Sequence, residues 1–294
     1  MSAPSTSLSI SKRPPVSVKA AAVKWLARAL LHLLLIVGSI SMMLPFIWMV
    51  SSSLKNANEL YAVPPIWIPQ KWLWQNFVYM FEHAPWGIYF LNTTKITLIV
   101  IVGQLIVCSM GAYAFSRLNF KGRDALFFLI LCTTMIPYHV TMIPTFKIMK
   151  SLDWINTHKA LIVPALFSPF GIFLLRQFFL TITKELEQAA MIDGCSYPRI
   201  FWHVILPNAK PALTTLAIFI FMGTWNDFLA PLIYLNDDGL KTLTLGLASF
   251  QGTNTTQWNY MMAGALIVML PILIVFAFAQ RYFVEGITMS GMKE

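Results

Sequence analysis

Residues Lys184–Pro211 read KELEQAAMIDGCSYPRIFWHVILPNAKP, the longest polar interruption in the second half of a very apolar chain. Lys184–Ile192 is built from good helix formers. Leu186, Ala189 and Ala190 fall at i, i+3 and i+4 and share one face. That face is small, so another backbone can approach it closely. Asp193-Gly194 then stops the helix: Gly194 supplies the positive φ of a C-terminal cap, and Asp193 can accept from free amides at the turn. Ser196 is placed to cap a second helical segment, with Pro198 near its start. Phe201, Val204 and Ile205 give that segment an apolar face, and Pro207 and Pro211 end it and launch the next apolar run. The product is a helix–turn–helix clip with a small, acidic docking edge. A loop of this length and build has something to hold.

Everything around this loop reads as membrane helix or short connector. The 294 residues are 57% hydrophobic and 11% charged, against about 25% charged in soluble domains. Mean hydropathy is +0.66. Cys108, Cys132 and Cys195 fall in apolar runs or in the loop itself, which implies no disulfide framework. A net charge of +9 is read as the positive-inside bias of a membrane protein rather than as a nucleic-acid surface.

Residues 1–28 are assigned as a disordered, basic, cytoplasmic N-terminus, rich in Ser and Pro over Met1–Ser17. A six-span domain is assigned to residues 29–283 and a cytoplasmic tail to 284–294. The spans are placed at about Ala29–Val50, Tyr89–Phe115, Ala125–Phe146 (broken by Pro137 and Pro144), Ala160–Phe179, Pro211–Leu232 and Met261–Phe283, each near the 20 apolar residues a bilayer requires. The first run is too long for the apolar core of a signal peptide and is followed by more spans. Asn236–Tyr260 is read as a polar outer loop. Charge supports this arrangement. With both termini and residues 184–210 inside, 14 of the 21 Lys and Arg, and every Arg, fall on the inner side.

The chain carries no phosphate-binding GxxxxGK[ST], no HExxH, no paired-cysteine motif and no GxSxG. His32, His83, His139, His158 and His203 lack metal-ligand spacing. No catalytic residues and no metal site are assigned, so energy for any work must come from a partner or an ion gradient. No internal repeat points to a single-chain secondary transporter.

Glu187, Ala189, Ala190, Asp193 and Gly194, followed by Leu206-Pro207, resemble the EAA loop of binding-protein-dependent ABC importer permeases. Gln188 stands where the motif's first acidic residue is usual, and Cys195 where a small residue is usual. Ala112–Leu118 with Phe120–Arg123, Ile136-Pro137, Ile143-Pro144, Phe170–Phe178, Trp225–Phe228 with Pro231-Leu232, and Gln280–Thr288 are similar, in order and spacing, to the carbohydrate-uptake branch of maltose-transporter type. The C-terminal pieces look like the six-span partner of such pairs.

The resemblance implies an all-α, six-span permease in a bacterial-type cytoplasmic membrane, contacting lipid and no nucleic acid. It would pair with a second permease chain, two ATPase subunits and an extracytoplasmic solute-binding protein. ATP and Mg would be used by the partner ATPase, with no cofactor on this chain. Glu187, Gln188, Ala189, Ala190, Asp193 and Gly194 are the implied ATPase-coupling residues, with Ala190 directed at the ATPase. Asn226 and Asp227, a polar pair near the outer end of a span, are candidates for the solute pathway; a pair bonded within the fold is the other reading. Gln251, Asn254, Gln257 and Trp258 are candidates for binding-protein contact. A sugar or sugar derivative is the implied solute. An ion-coupled carrier, a permease for a non-sugar solute, and a membrane enzyme or assembly factor are the rival readings.

Overall fold

The computed structural model describes residues 18–252 and 256–291. Helix α1 (Val18–Ser53) is followed by the short α2 (Ala57–Leu60) and α3 (Gln75–His83), then by the long α4 (Trp86–Arg117). Next come α5 (Arg123–Thr133), α6 (Tyr138–Ser151), α7 (Lys159–Ala165) and α8 (Pro169–Thr181). The polar loop contains α9 (Lys184–Ile192), α10 (Tyr197–Ile200), a π-helical turn (Phe201–Ile205) and α11 (Leu206–Asn208). The chain continues through α12 (Lys210–Trp225), α13 (Leu229–Tyr234), a 3-10 turn (Asp238–Leu240), α14 (Leu243–Ala248) and α15 (Trp258–Gly291). The fold is all-α; no strand occurs among the described residues, where one β-bridge joins Gln251 to Thr256.

Four stretches of the described residues are long and apolar enough to cross a membrane: 24–53, 86–117, 159–181 and 258–280. Two bent pairs, α5 with α6 and α10–α11 with α12, bring the number to as many as six if each pair is one broken span. The first pair turns through 99° where Pro137 takes an extended conformation. Proline lacks the N–H a continuing helix needs and biases the preceding residue away from helix. Pro144, expected to break the same span, lies inside α6 without ending it. α12 has 16 residues, about 24 Å at 1.5 Å per residue. That falls short of a hydrocarbon core of about 30 Å, and α13 continues the chain beyond the break at 226–228.

The core lies where α4, α8 and α12 meet. Ile96, Val100, Cys108 and Ala112 of α4, Ile172, Leu175 and Phe179 of α8, and Leu216 and Ile220 of α12 are buried together. Lipid offers no hydrophobic drive between spans, so close packing must hold them. Gly171 permits it: a Cβ there would stand 2.9 Å from Cys108 Sγ. A second cluster gathers Met80, Trp86, Tyr89, Trp225, Leu243, Phe250 and Val268 at the other end of the bundle. Trp86 Nε1 donates to Met80 O at 2.9 Å and Trp225 Nε1 to Val268 O at 3.1 Å. α1 lies against α15 at the edge, and its most apolar stretch has no residue buried.

Three boundaries differ from the sequence reading. α1 begins at Val18 rather than near residue 29, because Val18–Val23 is alanine-rich and strongly helix-forming. α15 runs to Gly291, so residues 284–291 continue the last helix instead of forming a separate tail. The segment read as a polar outer loop holds α14, whose Leu243, Leu245 and Gly246 are buried.

Candidate functional site

The loop at residues 184–210 folds as a clip because its stop signals are strong. Glu185 and Glu187 sit in the first turn of α9, where carboxylates complement the helix dipole. At the other end Gly194 has φ +78°. Its N–H donates to Met191 O at 3.0 Å, and Cys195 N–H donates to Ala190 O at 2.9 Å. These two bonds, C′ to C2 and C″ to C3, define a Schellman cap. Nothing lies within 4 Å of a Cβ built on Gly194, so it is backbone conformation alone that favours glycine there.

The orientation of α9 departs from the expectation built on Leu186, Ala189 and Ala190. Glu187 is buried and Ala190 packs against the core, whereas Leu186, Gln188 and Ala189 are exposed. Ala190 is therefore partly buried, on the side of α9 that packs against the core. The exposed edge is carried by Glu185, Leu186, Gln188, Ala189, Met191 and Ile192, and Ile192 is 86% exposed. The exposed edge is thus largely apolar and small, with Glu185 and Asp193 as its acids.

What turns Glu187 inward is Arg117, the last residue of α4. Arg117 Nε lies 2.8 Å from Glu187 Oε1, and the two side chains are 2% and 8% exposed. The same guanidinium donates through Nη2 to Phe179 O and to Ile182 O, the latter at 2.6 Å. Those carbonyls lie at the C-terminal end of α8, where Phe179 O also accepts from Ile182 N–H at 3.1 Å. Burial pushes the Glu187 carboxyl above its ordinary pKa, and the charges of Arg117 and Lys184 pull it back part of the way. Arg176 of α8 reaches the opposite way. Its Nε donates to Phe115 O at 3.1 Å, and its guanidinium lies 4.2 Å from the Phe127 ring centroid. Two arginines thus cross-tie α4 and α8 at the end that carries the loop.

The second arm follows its sequence signals in part. Ser196 occupies the cap position before α10 in an extended conformation, but its side chain makes no capping bond. Pro207 lies inside the helical run, which continues to Asn208 and breaks at Ala209. A missing N–H at Pro207 is tolerated because the preceding turn has already widened to a π-helix, in which Leu206 N–H reaches Phe201 O. Ile200 and Ile205 are fully buried, and the Phe201 ring lies tilted against Tyr113 of α4 with centroids 5.2 Å apart.

The two residues of the candidate pathway pair are bonded separately. Asn226 is exposed and donates from Nδ2 to Met222 O at 2.9 Å. Asp227 accepts from Ala230 N–H at 3.3 Å, capping α13. It also lines a cavity of about 230 Å³ with Ile96, Leu161, Gly223, Thr224 and Thr242. Of the residues assigned to binding-protein contact, Gln251, Gln257 and Trp258 are exposed around the Gln251–Thr256 bridge, and Asn254 lies outside the described residues. No group of three or more His, Cys, Asp or Glu among the described residues is placed to hold a metal ion. Arg117 and Arg176 entered the sequence reading as positive charges and as members of the resembling stretches, with no partner or role assigned. The available signal was an arginine fork at the end of an apolar run, in a chain whose polar loop carries an acid at its first helical turn.

Comparison with known proteins places this geometry among transport components. Residues 106–289 match the family described as binding-protein-dependent transport system inner membrane component. The chain is 36% identical over 254 residues to an arabinooligosaccharides transport system permease protein of Halalkalibacterium halodurans, covering 85% of this chain and 90% of that one. It is 35% identical over 268 residues to an sn-glycerol-3-phosphate transport system permease protein of Pectobacterium atrosepticum, covering 88% and 95%. Among solved structures, a chain of a bacterial ABC transporter involved in the import of alginate superposes with a TM-score of 0.76 at 23% identity, covering 92% of this chain and all of that one. That last likeness concerns the fold.

Proposed function

The chain belongs to the binding-protein-dependent transport system inner membrane component family, and from that premise we propose that it forms half of the translocation pathway of an ATP-driven importer for a sugar or sugar derivative. As a family member it is a multi-pass membrane permease subunit and a transport component, not an enzyme. Its partners are a second permease chain, two ATPase subunits that use ATP and Mg, and an extracytoplasmic solute-binding protein. Its setting is a bacterial inner membrane with both termini and the α9–α11 clip on the cytoplasmic side.

The observation that carries this reading is the clip itself: a capped helix with an exposed apolar edge, anchored from behind to two spans. Residues 184–194 form the ATPase contact, with Gln188, Ala189 and Ile192 outward and Glu187 and Ala190 supporting from within. Closure of the ATPases shifts the clip, and the spans follow between inward- and outward-facing states. ATP and the loaded binding protein must favour the same state for this to drive uptake. Asp227, on its cavity, is the candidate solute contact; Gln251, Gln257 and Trp258 are candidates for the binding protein.

A polyol phosphate is the second reading for the solute, favoured by the relative from Pectobacterium. Uptake of labelled oligosaccharide into vesicles holding the full complex separates the two. The sugar reading requires ATP-dependent accumulation that excess glycerol phosphate leaves intact. Accumulation of the phosphate ester alone would replace it.

A further inference from the structure

We infer that Arg117 is a positioning residue for energy coupling, fixing the ATPase-contacting helix to the ends of two spans through one guanidinium. This rests on the reading of the clip as the ATPase contact. The geometry has three parts. Arg117 terminates α4, its Nε meets Glu187 of α9 at 2.8 Å, and its Nη2 reaches the carbonyls of Phe179 and Ile182 at the end of α8. The side chains of both charged residues are almost fully buried. A buried charge pair of this kind is a poor source of stability, because desolvation offsets much of its attraction. It is a strong source of register, because losing either partner leaves the other charge without compensation.

The fork matters as much as the charge. Arginine holds its nitrogens in a fixed plane, so one side chain can pair with a carboxylate through Nε while Nη2 donates to two carbonyls; lysine presents a point charge on a flexible stem. A displacement of α9 is therefore passed to α4 and α8 through a polar joint, in addition to the chain connection at residues 182–183. The joint lies behind the docking edge. Its residues act on transport through the position of α9 and leave the exposed edge chemically unchanged.

The test uses the whole complex in vesicles, with uptake and ATP hydrolysis measured together. Glu187→Gln keeps the shape and removes the charge; Arg117→Lys keeps the charge and removes the fork. Spin labels at exposed Gln188 on α9 and Thr181 on α8 report the joint directly. Both variants are expected to purify with the ATPase subunits, to lower uptake per ATP on the order of tenfold, and to broaden the 181–188 distance distribution. Uptake per ATP within roughly twofold of the parent, with an unchanged distribution, overturns the inference. Loss of ATPase subunits with the distribution unchanged also overturns it, because Glu187 would then be part of the contact itself. Ile192→Asp serves as the control on the underlying reading. If that change on the exposed edge leaves ATPase binding and uptake intact, the clip is not the contact, while the label distances in the two variants still decide whether Arg117 fixes α9.

Discussion

The two ends of the bundle are held by different chemistry. At the clip end, Arg117 and Arg176 cross-tie α4, α8 and α9 with charged forks. At the other end the ties between α4 and the 236–243 segment are neutral, beside a Lys241–Asp238 ion pair within one turn and the buried Lys55, whose Nζ donates to Ile66 O. Asn92 Nδ2 donates to Gly239 O and Lys241 O at 2.9 and 3.0 Å, and Thr93 Oγ1 accepts from Leu243 N–H at 2.9 Å. Asn156, in the left-handed region at φ 58°, accepts from Asn236 N–H and Asp237 N–H with one oxygen. Charge-assisted forks are stronger and more directional than neutral bonds. The clip end is therefore built to keep register under load, and the other end is built from bonds that can be exchanged one at a time.

The largest effect that would break this contrast is at Arg117. Arg117→Ala leaves the buried Glu187 carboxylate without its counter-charge and removes a donor from two carbonyls at the end of α8, and is expected to destabilise the purified chain by about 3–5 kcal/mol, read by denaturation in detergent. A loss no larger than that of a surface substitution would remove the distinction between the ends. Gly194→Val comes next. It forces a β-branched residue to φ +78°, a strain of about 1–2 kcal/mol, and uptake by the complex should fall while the permease pair still assembles. Because the space around Gly194 is open, Gly194→Asn should recover most of the uptake.

At the neutral end, Asn156→Ala combines a lost acceptor with backbone strain, whereas Asn156→Gly loses the acceptor alone. The alanine variant should be the less stable by about 1 kcal/mol, measured as a difference between two denaturation midpoints. Asp227→Asn is the smallest of the set. It can still accept from Ala230 N–H, so stability should hold, and the half-saturating solute concentration for uptake should rise by about threefold if the carboxylate meets solute. Asn226→Ala should leave that concentration unchanged.

Much of this was legible in the sequence, for physical reasons that can be named. Apolar runs of bilayer length marked the spans, and Asp193-Gly194 marked the helix stop, because positive φ selects glycine so strongly. Pro137 marked a bend because it cannot continue a helix. The inward face of α9 was not legible. Apolar spacing favoured Leu186, Ala189 and Ala190, but Glu187 is buried by a partner 70 residues earlier in the chain, and no local pattern encodes that pairing. α14 was hidden for a related reason. Its apolar residues sit among polar ones, and only contact with Tyr89 and Thr93 of α4 makes them core. Asp227 was visible as a polar group beside a span, but its work as the cap of α13 depended on a break that composition does not mark.

If the outward edge of α9 meets the ATPase while its inner face is held within this chain, the two faces must crosslink to different partners. A photo-reactive side chain placed singly at Ile192 and at Ala190, in the assembled complex, tests this directly. An ATPase adduct is expected from Ile192, with only intrachain products from Ala190. An ATPase adduct from Ala190 with none from Ile192, or no ATPase adduct at either position in a complex that transports, would contradict it.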